Sequence, residues 1–407
     1  MNGGDQRVVV TGMGIVSCLG NTLDDVAAAL RTGRSGISHV DAWAERGFSS
    51  QVAGVAAVSH ETPFTRRHER FMGDTARFAC HAAHKAIEDA GLSLSDLHSP
   101  HVGTVIGSGV GTMASYDVAM AIGQVRGIEK IPPYTVPHAM SSTASANVAH
   151  LFGLEGVAYS PSSACTTSAL AIGQAMQLIQ SGRQKVVLAG GSEALHDNMT
   201  LMFDTMGVLS RRYNATPHSA SRPYDVNRDG FVIASGSGVL VLESLAHAQA
   251  RGARIHAELT GFGQSTDGTG MVTPHASGIA RAIASARDEA GIEPDYINAH
   301  APSTPLGDIE ELRAFKTVFA DGVPPFSSTK ALTGHPLGAC GAHEAIYTIL
   351  MMHAGFIAGS VGIDEIDPAT TGMPLVRTTR DATLRSAMSV SYGFGGSCAS
   401  LIFEIFK

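Results

Sequence analysis

Three residues stand where chemistry could be done. Cys165 lies in Ser162-Ser163-Ala164-Cys165-Thr166, between a strand-like run over 156–160 and a pattern over 169–179 that reads as a helix apolar nearly all round. A thiol at the start of a buried helix meets the positive end of the helix dipole, which favours thiolate, and the free amides there can hold an oxyanion. The competing reading is a small core residue, because free cysteine is among the most buried residue types. His300 ends the apolar run Asp295-Tyr-Ile-Asn-Ala-His300 and leads into Ala301-Pro302-Ser303-Thr304-Pro305. A histidine at a strand end suits the rim of an α/β site. His335 stands in Lys330-Ala-Leu-Thr-Gly-His335-Pro-Leu-Gly338, where glycines allow close backbone approach and a helix follows at once. Imidazoles so placed donate hydrogen bonds to a developing negative oxygen or carry protons near neutral pH. Most of the 18 histidines serve only solvent or the fold, but one cysteine with two strand-end histidines is a stronger case than any of them alone.

The elements that must position these residues alternate between short apolar runs and longer helical patterns. Strands are expected over 7–11, 102–106, 184–189 and 237–242, which are apolar and β-branched without polar alternation, as suits a sheet covered on both faces. Helices are expected over 23–31, capped by Thr22 with Asp25 three residues on, and over 74–90, ended by Gly91. This alternation implies an α/β fold. Thr11-Gly12-Met13-Gly14 is echoed by Thr260-Gly261-Phe262-Gly263, each after an apolar strand, and 162–166 is echoed by 333–338, each a small-residue loop opening an apolar helix. The repeat is either a duplication with halves meeting near residue 250 or a coincidence of a short motif. Gly12-Met13-Gly14 lacks a glycine at Ser17 and a suitably placed acid, so a nicotinamide site is rejected.

Composition excludes several classes. With 28 basic and 36 acidic side chains among 407 residues, the net charge of −8 argues against a nucleic-acid or anionic-membrane binder. At 44% hydrophobic and 16% charged the chain can bury a large core. Five cysteines without a CxxC pair give neither a zinc site nor a disulfide framework. No run of 18 apolar residues occurs, and the first seven residues lead into a strand without a leader pattern, so a soluble cytoplasmic protein is expected. Arg66, Arg67 and Arg70 form a basic cluster in this acidic chain, either a solvated helix face or a docking patch.

At these residues the chain resembles the β-ketoacyl-acyl-carrier-protein synthases, the condensing enzymes of the thiolase superfamily. The resemblance runs in order through TGMGIVSCLGN, SSACTTSALAIG around Cys165, YDVNRDGFVIASGSG (224–238), the His300 segment, STKALTGHPLGACGAHEA (328–345) and SYGFGGS (391–397). Length and the 344–363 segment most resemble the bacterial type I enzymes. The resemblance implies a five-layer α-β-α-β-α fold of two pseudo-repeated halves, 1–250 carrying the nucleophile and 251–407 carrying the two histidines. It implies that Cys165 takes the acyl chain from acyl carrier protein as a thioester. His300 and His335 then support decarboxylation of malonyl-ACP, and the carbanion attacks the acyl-Cys165 carbonyl. Amides of Cys165 and Phe394 would hold the oxyanion, with Phe394 as a gate, and Lys330 and Glu344 as electrostatic supports. Thr304, Val110, Met140 and Phe231 would contact pantetheine or the acyl chain, and Val110 would narrow the tunnel. Arg66, Arg67, Arg70, Arg126 and Lys130 would dock the acidic carrier. No metal or diffusible cofactor is called for, since phosphopantetheine arrives on the carrier, and a homodimer or a heterodimer with a homologue is implied.

Two loops depart from the family pattern. Pro302 stands where a threonine is usual and has neither hydroxyl nor backbone N–H, and Val390 and Cys398 replace asparagines around Tyr392-Gly393-Phe394. These changes point to a specialised polyene or polyketide pathway as the nearest alternative to ordinary fatty-acid synthesis. A non-condensing partner subunit is a further alternative, against which the retained Cys165, His300, Lys330 and His335 argue, because such partners usually lack the cysteine. An acyltransferase or thioesterase would need water at the acyl-cysteine.

Overall fold

The computed structural model describes residues 7–59 and 63–407, so the leader reading for residues 1–6 lies outside it. The first half contains β1 (Val8–Val16), α1 (Leu23–Thr32), α2 (Asp74–Ala90), β2 (Val102–Gly107), α3 (Thr143–Phe152), β3 (Ala158–Tyr159), α4 (Thr167–Gln180), β4 (Val186–Glu193) and β5 (Gly236–Ser244). The second contains β6 (Ala257–Thr266), α5 (Ala276–Ala290), β7 (Ile297–Asn298), α6 (Gly307–Phe319), β8 (Phe326–Ser327), α7 (Cys340–Ala354), β9 (Ser386–Tyr392) and β10 (Ser397–Glu404). The expected caps are present. Thr22 accepts a hydrogen bond from the Asp25 amide, and Gly91 closes α2 in the left-handed conformation at φ 64°.

The strands form one ten-stranded sheet in the order β8-β7-β9-β10-β6-β1-β5-β4-β2-β3. Each half repeats the other. β1 and β6 run antiparallel to β5 and β10, which run antiparallel to β4 and β9, and these are joined in parallel by β2 and β7 and then by β3 and β8. The halves meet where β1 pairs with β6, Val8 opposite Leu259 and Val10 opposite Ala257. α4 and α7 pack on each other between the halves through Ala171, Ile172, Ala175, Ala342, Ile346 and Ile349. α2 with α3 covers the outer face of the first half and α5 with α6 that of the second, giving the five layers α-β-α-β-α.

The strand expected over 7–11 runs on to Val16, through both glycines of the repeated motif. The reason is close packing. A Cβ on Gly12 would lie 2.2 Å from the Ala86 carbonyl oxygen and one on Gly14 1.9 Å from that of Ala82. In the second half Gly261 and Gly263 stand equally close to Ala286 and Ala282 of α5, at 2.2 and 1.9 Å. The register skips Thr11 in β1 and Thr260 in β6, and a helix carboxylate accepts the next-but-one amide in each, Asp89 from Met13 and Glu289 from Phe262. The motif therefore serves helix-on-strand contact in both halves. Gly14→Ala and Gly263→Ala should each lower the unfolding free energy by about 1–3 kcal/mol in a denaturant titration, from overpacking against backbone that cannot retreat. A neutral result at either site would refute this role for that glycine.

Candidate active site

The chemistry-bearing residues gather where strands end. Cys165 lies after β3, not on the helix itself but in the 3₁₀ turn Ala164–Thr166 ahead of α4. Ala164 is held at φ 52°, a left-handed conformation that costs free energy in a residue with a Cβ and turns the thiol toward the cavity. The second half repeats the device in the turn Leu337–Ala339 ahead of α7, with Leu337 at φ 45°. His300 follows β7 by two residues, and Lys330 opens a one-turn helix after β8. The two turns pack on each other, and Gly338 donates its amide to Glu193 at the end of β4 at 3.0 Å.

His335 Nε2 lies 2.9 Å from Cys165 Sγ. The rings of His300 and His335 stand perpendicular with centroids 5.0 Å apart. Lys330 Nζ is 3.1 Å from His300 Nδ1 and ion-pairs with Glu344, both members of the pair being buried. An ammonium has only donors, so Nδ1 of His300 accepts and its proton sits on Nε2. Burial, with Lys330 and His335 adding, holds His300 well below the ordinary imidazole range, and burial with Lys330 does the same to His335. Both rings are therefore neutral at rest: His300 is a donor at Nε2, and His335 Nε2 can take the thiol proton or, once protonated there, donate. Burial also pushes the Glu344 carboxyl up to about 7 against the pull of Lys330, while Glu344 overcomes burial to raise Lys330.

The thiolate expected from the helix dipole is corrected by the same physics. Burial pushes the Cys165 thiol up to about 12, Lys330 and the Phe394 amide pulling the other way without prevailing. A single helix end cannot offset removal of an anion from water. The resting group is a thiol with a base at hydrogen-bond distance. The Phe394 amide reaches the Cys165 sulfur, and a Cβ on Gly393 would sit 2.8 Å from the Cys165 nitrogen. The Phe394 amide thus stands at the sulfur, and its loop packs against the Cys165 nitrogen. Thr166 Oγ1 and Ser397 Oγ lie 2.7 Å apart and tie the glycine loop to the nucleophile turn.

A cavity of about 580 Å³ opens on these groups. Cys165, His300, His335, Val110, Phe231, Thr304, Pro302 and Phe394 all line it, with the Phe231 ring against His335 at 5.4 Å. Met140 does not. It caps the short helix Thr135–Ala139, whose His138 is bound to the Arg70 carbonyl at 2.7 Å, and it lies outside the lining. Arg66, Arg67, Arg70, Arg126 and Lys130 are exposed and none lines the cavity; Arg70 stacks on Phe71 and Tyr134. Val390 is buried in the apolar core behind the loop, and Cys398 Sγ lies 3.5 Å from the Gly396 carbonyl oxygen. Donor atoms of Cys165, His300 and His335 fall within 4.8 Å of one another, close enough to share a soft ion, though as placed they make a nucleophile with two hydrogen-bond donors.

The comparisons decide what this arrangement is. The family described as "Beta-ketoacyl synthase, N-terminal domain" matches residues 5–248, and "Beta-ketoacyl synthase, C-terminal domain" matches 256–364. The chain belongs to the β-ketoacyl synthase family. It is 47% identical to the 3-oxoacyl-[acyl-carrier-protein] synthase 1 of Haemophilus influenzae over 98% of this chain and 99% of that one, and 46% identical to that of Escherichia coli over 99% and 100%. Among solved structures, a beta-ketoacyl synthase from Burkholderia phymatum superposes with a TM-score of 0.94 at 35% identity, covering 98% of this chain and all of that one. A type II polyketide synthase ketosynthase, solved in complex with its acyl-carrier protein, superposes at 0.88 with 30% identity, covering 98% and 99%. The thiolase-like fold and acyltransferase chemistry of a condensing enzyme are therefore those of this ketosynthase.

Two supports of the ketosynthase site escape a reading of sequence. Glu193, at the end of β4, accepts from the Ser108 hydroxyl and from the amides of Gly109, Val110 and Gly338, with its own carboxyl raised by burial. Glu311, in the first turns of α6, accepts the amides of His300 and Ala301 at 2.8 and 2.9 Å, and burial pushes it up to about 8. A strand-end acid after Gly-Gly-Ser is the only signal that could have pointed to Glu193. No helix of the described residues is long and apolar enough to cross a membrane.

Proposed function

We propose that this ketosynthase extends a carrier-bound acyl chain by two carbons, with each step assigned to a named group. Cys165 Sγ attacks the carbonyl of acyl-ACP, the thiol proton passes by way of His335 Nε2 to the departing pantetheine sulfur, and an acyl-Cys165 thioester remains. Malonyl-ACP then enters; loss of carbon dioxide leaves an enolate whose oxygen takes hydrogen bonds from His300 and His335. Its carbon attacks the acyl-Cys165 carbonyl, the amides of Cys165 and Phe394 hold the oxyanion, and collapse frees β-ketoacyl-ACP and the cysteine thiolate, which takes a proton from water by way of His335. The observation that carries this reading is the 2.9 Å contact of Cys165 with His335 in one cavity with the Lys330-set tautomer of His300. Lys330 and Glu344 act through His300, Phe394 gates the cavity, and Thr304, Val110 and Phe231 meet pantetheine or the acyl chain. The division of labour is 1–250 for the nucleophile and 251–407 for the histidines. Intact-protein mass spectrometry after mixing with acyl-ACP, then malonyl-ACP, tests it. An acyl increment on Cys165 that discharges as β-ketoacyl-ACP supports the proposal; no increment with any acyl length defeats it.

The acidic carrier is proposed to dock on Arg66, Arg67, Arg70, Arg126 and Lys130, whose exposure and charge suit steering of an anionic partner. Charge reversal at Arg66 and Arg67 should raise the apparent KM for acyl-ACP about tenfold at low salt and leave kcat near its value. An unchanged KM at low salt would remove these residues from the docking site. The chain is also proposed to pair with a second copy or a homologue, in the cytoplasm. The short edge strand β3 and the segment 113–139 leave Tyr116, Val118, Val125, Ile128, Val136 and Tyr159 exposed, an apolar surface of the kind a subunit covers. Kinship to 3-oxoacyl-ACP synthases at 46–47% identity favours fatty-acyl substrates. The altered Pro302 and Val390–Cys398 segments keep a specialised polyketide substrate as the second reading.

A further inference from the structure

One buried polar group in the cavity wall has no partner. The Tyr392 hydroxyl finds no hydrogen bond among the described residues although the residue is only 4% exposed and lines the cavity. Its ring packs on His300 at 4.4 Å between centroids, and its hydroxyl lies beside Gly307. A Cβ on Gly307 would lie 3.2 Å from the Tyr392 oxygen and 2.5 Å from Thr304 Oγ1, so only a bare glycine lets the two hydroxyls pack this closely against it. The surrounding wall offers few donors: Val272, Pro274, Pro302, Pro305 and Leu306 line it without a hydrogen-bonding side chain, and Thr273 and Thr304 add one hydroxyl each. A dry, unpaired hydroxyl is costly in a folded protein, and phenylalanine would fill the same space without that cost. Its presence beside the reacting centre calls for a partner that arrives with the substrate.

We propose that the Tyr392 hydroxyl hydrogen-bonds the amide-bearing phosphopantetheine arm of the thioester substrate, beside Thr304 and Gly307, on the wall where Pro302 offers no donor. The inference rests on the ketosynthase reading only for the identity of the arm. An amide carbonyl of the arm accepts from Tyr392. Because the hydroxyl is unpaired in the free protein and paired in the complex, Tyr392 improves binding while it lowers stability.

The test separates those two effects. Wild type and Y392F are titrated with N-propyl pantothenamide, an inert probe that carries both amides of the arm and no thioester, and the apparent KM and kcat for malonyl-ACP are measured beside them. Y392F should weaken the probe's Kd and raise KM by about five- to twentyfold, hold kcat within twofold, and melt at or above the wild-type temperature. P302T in the Y392F background should recover part of the lost affinity by supplying a hydroxyl from the same wall. An unchanged Kd for the probe overturns the proposal, as does a fall in kcat with KM fixed, which would place Tyr392 on His300 instead. The probe titration needs no condensation, so failure of the ketosynthase reading would show in the wild type's turnover and leave this comparison intact.

Discussion

Replacing Cys165 by alanine should abolish condensation, by about 10⁴-fold or more, while leaving the loss of carbon dioxide from malonyl-ACP largely in place. The first half of this expectation follows from the loss of the only thiol that lines the cavity among the described residues, after which residual rate would require direct attack of one carrier thioester on another. The second half follows from how the histidines are held. His300 is oriented by Lys330 at Nδ1 and by Glu311, which accepts its backbone amide, and none of these contacts involves the cysteine. On the proposed mechanism its Nε2 proton is therefore still available to the enolate oxygen. His335 loses its 2.9 Å partner but keeps its place against Phe231. The measurement is paired: β-ketoacyl product and acetyl-ACP are both followed by mass spectrometry from malonyl-ACP and acyl-ACP. Product formed at more than a tenth of the wild-type rate would mean that Cys165 is not the acyl carrier. Parallel loss of both products would mean that the histidines depend on the thiol, contrary to the geometry.

The contrast between what the sequence disclosed and what it withheld has a physical pattern. The strands and the caps of α1 and α2 were legible because local chemistry sets them: β-branched runs, a threonine cap, a closing glycine. Cys165, His300 and His335 were legible because each sits in a loop of small residues between strand and helix, and the two small-residue loops were recognisable as echoes of each other. The state of the thiol was not. The helix dipole is a local argument, whereas the cost of burial depends on everything packed around Cys165, and burial dominates. Glu193 and Glu311 were invisible for a related reason. Their partners are backbone amides up to 145 residues away, and no spacing rule links a carboxylate to an amide it meets only after the sheet has formed. The glycine motif carried a misleading hint of a nucleotide loop, because Gly-x-Gly reads the same whether a phosphate or a helix comes close. Only the bodies of α2 and α5 against the strands decide between them.

The second large effect should come from Lys330 and Glu344, and it should divide stability from activity. Both are buried, so removing one partner leaves the other costly to keep charged; Glu344→Gln should cost about 3–5 kcal/mol in a denaturant titration. Lys330→Met reads the pair through pH, because the carboxyl left behind sheds its charge by taking a proton. Burial already holds Glu344 at about 7 with Lys330 drawing it down, so without Lys330 its value must climb further above the ordinary 4.5. The folded variant then binds a proton that the unfolded chain has released, and the sign is fixed: stability falls as pH rises through that window. Lys330→Met should therefore be closer to wild type at pH 6 than at pH 9, and a loss independent of pH would show that Glu344 is not the titrating partner. The double variant, Lys330→Met combined with Glu344→Leu, removes both charges and should regain most of the stability. It should not regain activity. Without the ammonium at Nδ1, the His300 proton can occupy either nitrogen, and the donor aimed at the enolate is lost in part of the population; a fall of about 10²–10³ in kcat is expected, as for other preorganised oxyanion donors. Recovery of both stability and turnover in the double variant would show that the ion pair only fills space. Recovery of stability alone would show that a costly buried pair is kept in this fold to fix one proton on one nitrogen.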